Sequence, residues 1–146
     1  MLRQLASSTE VVANARALAR KIMDEGFRVI TGGTDTHLML IDVFAQGILG
    51  SEAENALGQA GITVNKNAIP FDSNPPLKPS GIRIGTPALT TRGMKEKEMI
   101  QTGAWIVEAL RNHKDAQALA RIRKQVLELA EAFPLYPELR ATVEVA

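Results

Sequence analysis

The sequence has 146 residues, 45% hydrophobic and 23% charged, a composition typical of one globular domain. Its 17 basic and 16 acidic side chains nearly balance, so the charge pattern gives no electrostatic footprint for nucleic acid. The lack of cysteine excludes disulfides and thiolate metal sites, and the two histidines, His37 and His113, are too few and too far apart for a typical zinc site.

The first predicted element is a helix over residues 10–25. Ser7 stands three residues before Glu10, the spacing of a capping box, and apolar residues then recur at helical intervals from Val11 to Met23. Gly26 follows and predicts the end of this helix.

Three strands and a short helix are predicted next. Residues 27–31 and 37–43 are strand-like, and a second capping box over 51–54 opens a short helix that stops at Gly61. Residues 62–66 form the third predicted strand. The segment 67–81 contains four of the seven prolines, which excludes regular structure there. A long loop inside a compact domain is usually functional or disordered.

The remaining segments are a strand over residues 82–90 and two helices, over 95–111 and 116–132, each marked by an apolar stripe. The order of elements predicts an α+β fold, in which a small, mainly antiparallel sheet is covered by helices on one face. The last two helices are expected to provide that cover. No apolar run is long enough to span a membrane and no secretory leader is evident, so the cytoplasm is the expected compartment.

Arg83 is the most informative candidate for binding. It lies in a strand-like segment between Ile82 and Ile84, with Gly81 and Gly85 beyond them, and glycines allow a ligand to approach the backbone closely. A guanidinium there suits a carboxylate, which it binds through two parallel hydrogen bonds. The alternative is a strand arginine paired with an internal aspartate or glutamate, and composition alone favours that alternative.

Other polar groups admit two interpretations. The triplet Asn65-Lys66-Asn67 either presents donors to a polar ligand or is only the polar end of a strand. The segment 34–37, after two glycines, is expected to be a turn, with His37 a structural histidine. No nucleophile–base motif and no phosphate-loop pattern is present, so no catalytic residue and no metal ligand is predicted.

Three segments, in the same order, resemble serine hydroxymethyltransferase. Residues 62–72, ITVNKNAIPFD, and residues 80–93, SGIRIGTPALTTRG, are similar to two of that family's conserved blocks. Residues 32–38, GGTDTHL, resemble a third, with Thr36 where asparagine is common. The similarity covers most of this chain but only the C-terminal third of a family chain.

The resemblance implies the small C-terminal domain of a fold-type I pyridoxal-phosphate enzyme that interconverts serine and glycine with tetrahydrofolate. Arg83 then matches the arginine that binds the substrate carboxylate. Asn67 matches an asparagine that contacts the folate, and Lys66 beside it is a second folate-binding candidate. Asp35 and His37 match a motif with a structural role.

The resemblance also implies missing parts. The family's cofactor lysine lies upstream of this domain, and the pair His113-Lys114 is expected to be only a solvated turn between helices. Residues 1–10 do not resemble the family and are taken as an extension, with the family domain over 11–146. The chain is therefore expected to be inactive alone.

The expected partner is the N-terminal large domain, or a full-length homologue. The alternative is a non-catalytic interaction module or a remnant. Without the large domain, we expect self-association into a homo-oligomer, or an uncovered apolar patch near Val11, Val12 and the loop 67–81.

Overall fold

The computed structural model describes residues 8–30, 38–85 and 93–133, and these contain four α-helices and four strands. A short 3₁₀ turn at Phe44–Gln46 follows the second strand. In chain order the elements are α1 (Ser8–Asp24), β1 (Arg28–Val29), β2 (Leu38–Asp42), α2 (Gly50–Gln59), β3 (Asn65–Asn67), β4 (Gly81–Gly85), α3 (Glu96–Arg111) and α4 (Ala116–Ala132). None of the helices in the described ranges is both long and apolar enough to cross a membrane.

The strands form one sheet in the order β1-β2-β4-β3, and every neighbouring pair is antiparallel. This confirms the predicted α+β fold with a small antiparallel sheet. The predicted bounds of the third strand were wrong, however, because β3 comprises Asn65–Asn67 rather than residues 62–66. The backbone N–H of Ile62 donates to the Leu57 carbonyl at 2.8 Å, so this residue closes the end of α2 instead of pairing in the sheet.

One face of the sheet packs into the core. The inward-facing side chains Val29, Met39, Ile41, Ile82 and Ile84 are all buried. The sheet is covered mainly by α1, which contacts β1 and β2, and by α2, which contacts β3 and β4, so the prediction that the last two helices provide this cover is wrong. Helix α3 packs on α1 and α2, and α4 packs on α2 and α3. The largest fully buried side chains are Leu18, Ile22, Ile41, Val43, Leu57, Ile82, Met99, Ile106, Leu110, Leu119 and Ile122.

The helix stripes predicted from the sequence reach the core. In α3, Met99, Ile106 and Leu110 are buried, and Gly103 lies so close to α1 that a Cβ atom would meet Lys21 Cγ at 2.8 Å. The stripe on α4 is buried at its start and only partly buried towards Phe133. The absence of a side chain at Gly103 therefore allows α1 and α3 to pack closely.

Helix α2 begins differently from its prediction. Its first residue is Gly50, and the preceding Leu49 provides no side-chain cap. The Gly50 N–H instead donates to the Pro79 carbonyl at 2.8 Å, so the long loop satisfies the first turn. Glu54, the expected capping-box partner, accepts from the Lys66 N–H at 2.8 Å. The Gly26 helix end is confirmed, with φ at 93°, whereas the expected cap at Ser7 lies outside the described residues.

The loop between β3 and β4 is folded around the carboxylate of Asp72. That carboxylate accepts hydrogen bonds from the Ser80 hydroxyl at 2.5 Å, the Ser80 N–H at 2.9 Å, the Asn74 N–H at 2.9 Å and the Ile69 N–H at 3.3 Å. These donors favour the ionised form and lower the pKa of Asp72 to about 2, with the Ser80 hydroxyl as the largest cause. The proline-rich segment is therefore an ordered loop with a charged centre.

Buried Ser80 also attaches this loop to the rest of the fold. Its carbonyl accepts from the N–H groups of Val43 and Phe44, at 3.1 and 3.0 Å. The Asn74 side-chain amide donates to the Ser80 hydroxyl at 2.8 Å. The loop, the end of β2 and the start of α2 therefore meet at one place, just before β4 begins.

The Gly50 contact gives a test of this junction. A Cβ atom at Gly50 would collide with the carbonyl oxygen of Gly81 and lie 2.8 Å from that of Pro79. We expect Gly50→Ala to lower the free energy of unfolding by about 1–3 kcal/mol, as overpacking does. Gly58 lies in the same helix with nothing within 4 Å of its Cβ position, so Gly58→Ala should leave stability unchanged or raise it by up to about 1 kcal/mol. Urea unfolding measures both, and equal effects would contradict the contact.

The Asp72 carboxylate predicts a pH-dependent stability difference. Its folded pKa of about 2 lies below its unfolded value near 3.8, so its contribution is full above the unfolded value and is lost as the pH falls through about 2. Asp72→Asn should lower the melting temperature at pH 7, and the difference from wild type should shrink between about pH 4 and pH 2. Glu128→Gln, at an exposed position on α4, is the control, and a difference independent of pH for Asp72→Asn would overturn the prediction.

Candidate functional site

Arg83 lies on the face of the sheet that none of the described helices covers. In the antiparallel register, Arg83 lies opposite Leu40 of β2 and opposite Asn65 of β3. Residues directly opposite each other share a face, so these three side chains form a row across the central strands. Ile82 and Ile84, on either side of Arg83, point into the core and are buried, whereas Arg83 is exposed.

Arg83 makes no ion pair or hydrogen bond through its side chain with any other described residue. The alternative of an internal carboxylate partner is therefore not found in the described part of the chain. By contrast Arg28, exposed at the sheet edge, pairs with Asp42 at 3.0 Å. Arg83 thus presents its five N–H donors in the planar arrangement that matches a carboxylate.

Asn67 shares the face of Arg83. It lies opposite Gly81 and two residues from Asn65, so its side chain points the same way as those of Asn65 and Arg83. Such diagonal neighbours lie about 7–8 Å apart. The Asn67 amide nitrogen donates to the Ala68 carbonyl at 2.8 Å, and its side-chain oxygen has no partner among the described residues. The β3–β4 pair therefore brings two of the predicted binding residues together.

Lys66 points away from them. It lies opposite Ile82, and successive strand residues alternate between faces, so the strand directs its side chain to the helix-covered side at the sheet edge. Its side chain is exposed, and its backbone is held by Glu54 of α2. Lys66 thus lies on the opposite face of the sheet from Arg83 and Asn67. Its role in folate binding stays a prediction. Asp35 and His37 lie outside the described residues.

The turn that contains His113 and Lys114 connects α3 with α4, as predicted. It is less solvated than expected, because the His113 side chain is only 19% exposed. His113 Nδ1 lies 3.0 Å from the Leu110 carbonyl oxygen, and Nε2 lies 3.5 Å from a Glu52 carboxylate oxygen. His113 therefore has a structural role, attaching the turn to α2, while Lys114 is exposed.

The lysines do not fit covalent attachment of pyridoxal phosphate. Such a lysine needs a desolvated pocket or nearby charges that favour its neutral form. Of the seven lysines, six are exposed, and Lys21 is half-buried and paired with Glu25 at 2.8 Å. No group of three or more potential metal ligands is found among the described residues.

Sequence reasoning missed Asp72 and Ser80, which organise the loop beside the site. A signal was present, because an aspartate followed two residues later by an asparagine and then a proline is typical of a side-chain-capped turn. The contact with Ser80 spans eight residues of sequence and has no local signature. These two residues hold the ends of the segment from Asn67 to Gly81 in place.

Comparison with known proteins identifies the family. The sequence model of serine hydroxymethyltransferase matches residues 4–106. The chain is 71% identical over 135 residues to a serine hydroxymethyltransferase of Koribacter versatilis and 67% identical over 135 residues to one of Acidobacterium capsulatum. A third relative, from Methanospirillum hungatei, is 52% identical over 132 residues.

These matches cover most of this chain but a minor part of the relatives. The first two alignments include 92% of this chain and 32% of each relative. The chain therefore spans about a third of the length of the curated relatives it matches. The family match begins at residue 4, and the boundary placed after residue 10 stays a prediction. Because the family match includes residues 4–106, more than half of the chain, the chain belongs to the serine hydroxymethyltransferase family.

Proposed function

We propose that this chain provides the substrate-carboxylate and folate contacts of a serine hydroxymethyltransferase and is inactive without the rest of that enzyme. The reaction interconverts serine and glycine, with tetrahydrofolate as the co-substrate. The observation that carries the proposal is the exposed Arg83, which has no carboxylate partner among the described residues and shares a face with Asn67. Both residues stand at the positions that the family resemblance assigns to these two contacts.

Arg83 binds and orients the amino acid in this proposal. A guanidinium grips a carboxylate through two parallel N–H···O bonds, which fixes the direction of the substrate as well as its position. Hydrogen bonds to charged groups contribute about 1.5–3 kcal/mol each. The β4 backbone is paired on both sides, so the arginine extends from a rigid support.

Asn67 supplies an amide edge for the folate. The Asn67 side-chain oxygen accepts a hydrogen bond, and the second N–H of its amide donates one. One side chain can therefore bind both a donor and an acceptor on a heterocycle. Pyridoxal phosphate, when bound in the complete enzyme, supplies the electron sink for the bond that breaks. No lysine of this chain fits the attachment of that cofactor, so the present residues account for binding and orientation alone.

Arg83→Ala tests the carboxylate contact in a full-length chimera, in which this chain replaces the matched third of the Koribacter versatilis relative. We expect kcat/KM for serine to fall by about 100-fold or more, because two charge-assisted hydrogen bonds are lost. Arg83→Lys should recover only part of the loss, since an ammonium cannot form the paired geometry. Steady-state kinetics with tetrahydrofolate measures both.

Arg28→Ala is the matched control, because Arg28 is an exposed arginine of the same sheet that pairs with Asp42. Its kcat/KM should stay within about twofold of wild type, because Arg28 lies on β1, which β2 separates from β4. Equal kinetics for the Arg83→Ala and wild-type chimeras would contradict the proposal. So would equal losses for the variants at positions 83 and 28.

The isolated chain should neither cleave serine nor form a stable adduct with the cofactor. We expect that mixing it with pyridoxal phosphate, reducing with borohydride and mapping peptides by mass spectrometry finds no single lysine modified stoichiometrically. The exposed lysines remain charged and unreactive. Stoichiometric labelling of one lysine together with turnover would overturn this prediction. If the chimera is active but the isolated chain is not, the proposed division of roles holds.

A further inference from the structure

Three large apolar side chains are exposed at one end of the sheet. Phe44, Phe71 and Leu77 are 43%, 104% and 86% exposed, respectively. Phe44 follows β2, while Phe71 and Leu77 belong to the loop between β3 and β4. The Phe44 N–H donates to the Ser80 carbonyl at 3.0 Å, so Phe44 lies beside the end of that loop. We call these three residues the loop surface.

The backbone at Phe71 is strained as well as exposed. Phe71 is the one described non-glycine residue with positive φ, at 57°, a conformation that is unusual for a bulky side chain. The turn around it is held from both sides, because the Asp72 N–H donates to the Ile69 carbonyl at 3.1 Å and the Ile69 N–H donates to the Asp72 carboxylate. The loop therefore holds an aromatic ring out into solvent on a fixed backbone. Strain maintained at an exposed side chain is typical of a functional contact.

The exposed apolar residues of the last two helices, unlike those of the loop surface, lie on separate elements. Ile100 on α3 and Leu127 on α4 are 49% and 48% exposed, each on a separate helix. Single exposed apolar residues are normal on a protein surface, whereas clustered ones mark interaction sites. Phe71 and Leu77 lie in the loop 67–81, which was part of the predicted patch, while Val11 and Val12 are half-buried in α1.

The length of the relatives indicates which polypeptide binds the loop surface. The relatives are about three times as long as the matched segment, since the alignments cover 32% of each. The loop leaves the sheet at Asn67 and returns at Gly81, the two residues that border the row containing Arg83. Any polypeptide that closes over Arg83 therefore also meets the base of this loop. A rigid aromatic side chain needs little ordering on binding, which favours it as an anchor.

We infer that the loop surface is the docking site for the part of the family enzyme outside the matched third, with Phe71 as its anchor. This inference rests on the proposed function, because it assigns the surface through which the half-site is completed. The partner offers an apolar pocket that accepts an aromatic ring. Asp72 acts here as a positioning residue, since it holds the turn from which Phe71 projects.

Thiol labelling tests the docking surface, because the chain has no cysteine of its own. Phe71→Cys and Leu77→Cys are compared with the controls Ile100→Cys and Leu127→Cys, each in the isolated chain and in the full-length chimera. Labelled positions are mapped by mass spectrometry. We expect labelling at 71 and 77 to be at least about tenfold slower in the chimera than in the isolated chain. Labelling at 100 and 127 should change by no more than about twofold.

Unchanged rates at 71 and 77, or equal slowing at all four positions, would overturn the inference. If labelling at position 71 of the isolated chain becomes slower as the protein concentration rises, the surface binds a second copy of the chain. That result would also overturn the inference. A second measurement is thermal unfolding of Phe71→Ser and Ile100→Ser. Phe71→Ser should lower the chimera's melting temperature and leave that of the isolated chain unchanged or higher, and an equal effect in both would overturn the inference.

These outcomes are separate from those of the proposed function. Labelling and unfolding need no substrate and do not involve Arg83. If docking fails while Arg83→Ala still reduces kcat/KM, only the surface assignment is lost. If docking holds while Arg83→Ala has wild-type kinetics, only the proposed binding role is lost.

Discussion

Strand β4 is hydrogen-bonded on both sides, and the described helices cover only one face of its sheet. The alternation of side chains along β4 therefore decides which of them face the core and which face away from it. Ile82 and Ile84 fill the core, which forces Arg83 to the open face. A register slip of one residue would expose both isoleucines, at about 1.5–3 kcal/mol each, and bury a guanidinium. The position of Arg83 therefore follows from the packing of its neighbours and needs no local contact of its own.

The start of β4 is fixed by contacts between segments distant in sequence. Gly50 of α2 approaches the backbone of Pro79 and Gly81, and Ser80 joins the end of β2 to the loop. Asp72 gathers the intervening residues through four hydrogen bonds to its carboxylate. Because this junction fixes both ends of the β3–β4 loop, it also fixes the diagonal relation between Asn67 and Arg83. Residues outside the row that contains Arg83 thus control the geometry of that face of the sheet.

The sequence predicted what periodicity and local chemistry determine, and little of what depends on contacts between segments. The apolar stripes and the strand-like runs were sufficient for the α+β class, and Gly26 marked a helix end correctly. The capping box near residue 51 was wrong because the loop, not a side chain, satisfies the first turn of α2. Composition also favoured an internal partner for Arg83. Whether Arg83 has a carboxylate partner among the described residues could be seen only from the sheet register and the surrounding carboxylates, neither of which is a local property.

The free energy of a solvent-exposed ion pair explains why the proposed binding role of Arg83 requires that this face of the sheet be covered. A guanidinium–carboxylate pair in water contributes at most about 1 kcal/mol, whereas a millimolar complex needs about 4 kcal/mol. In its proposed role, Arg83, exposed as it is, therefore selects and orients a carboxylate but binds it only weakly. The same two hydrogen bonds become stronger when a covering surface excludes water and lowers the local dielectric constant. A polypeptide that covers this face of the sheet thus does two things at once: it buries Leu40 beside Arg83, and it converts a weak surface contact into a binding site.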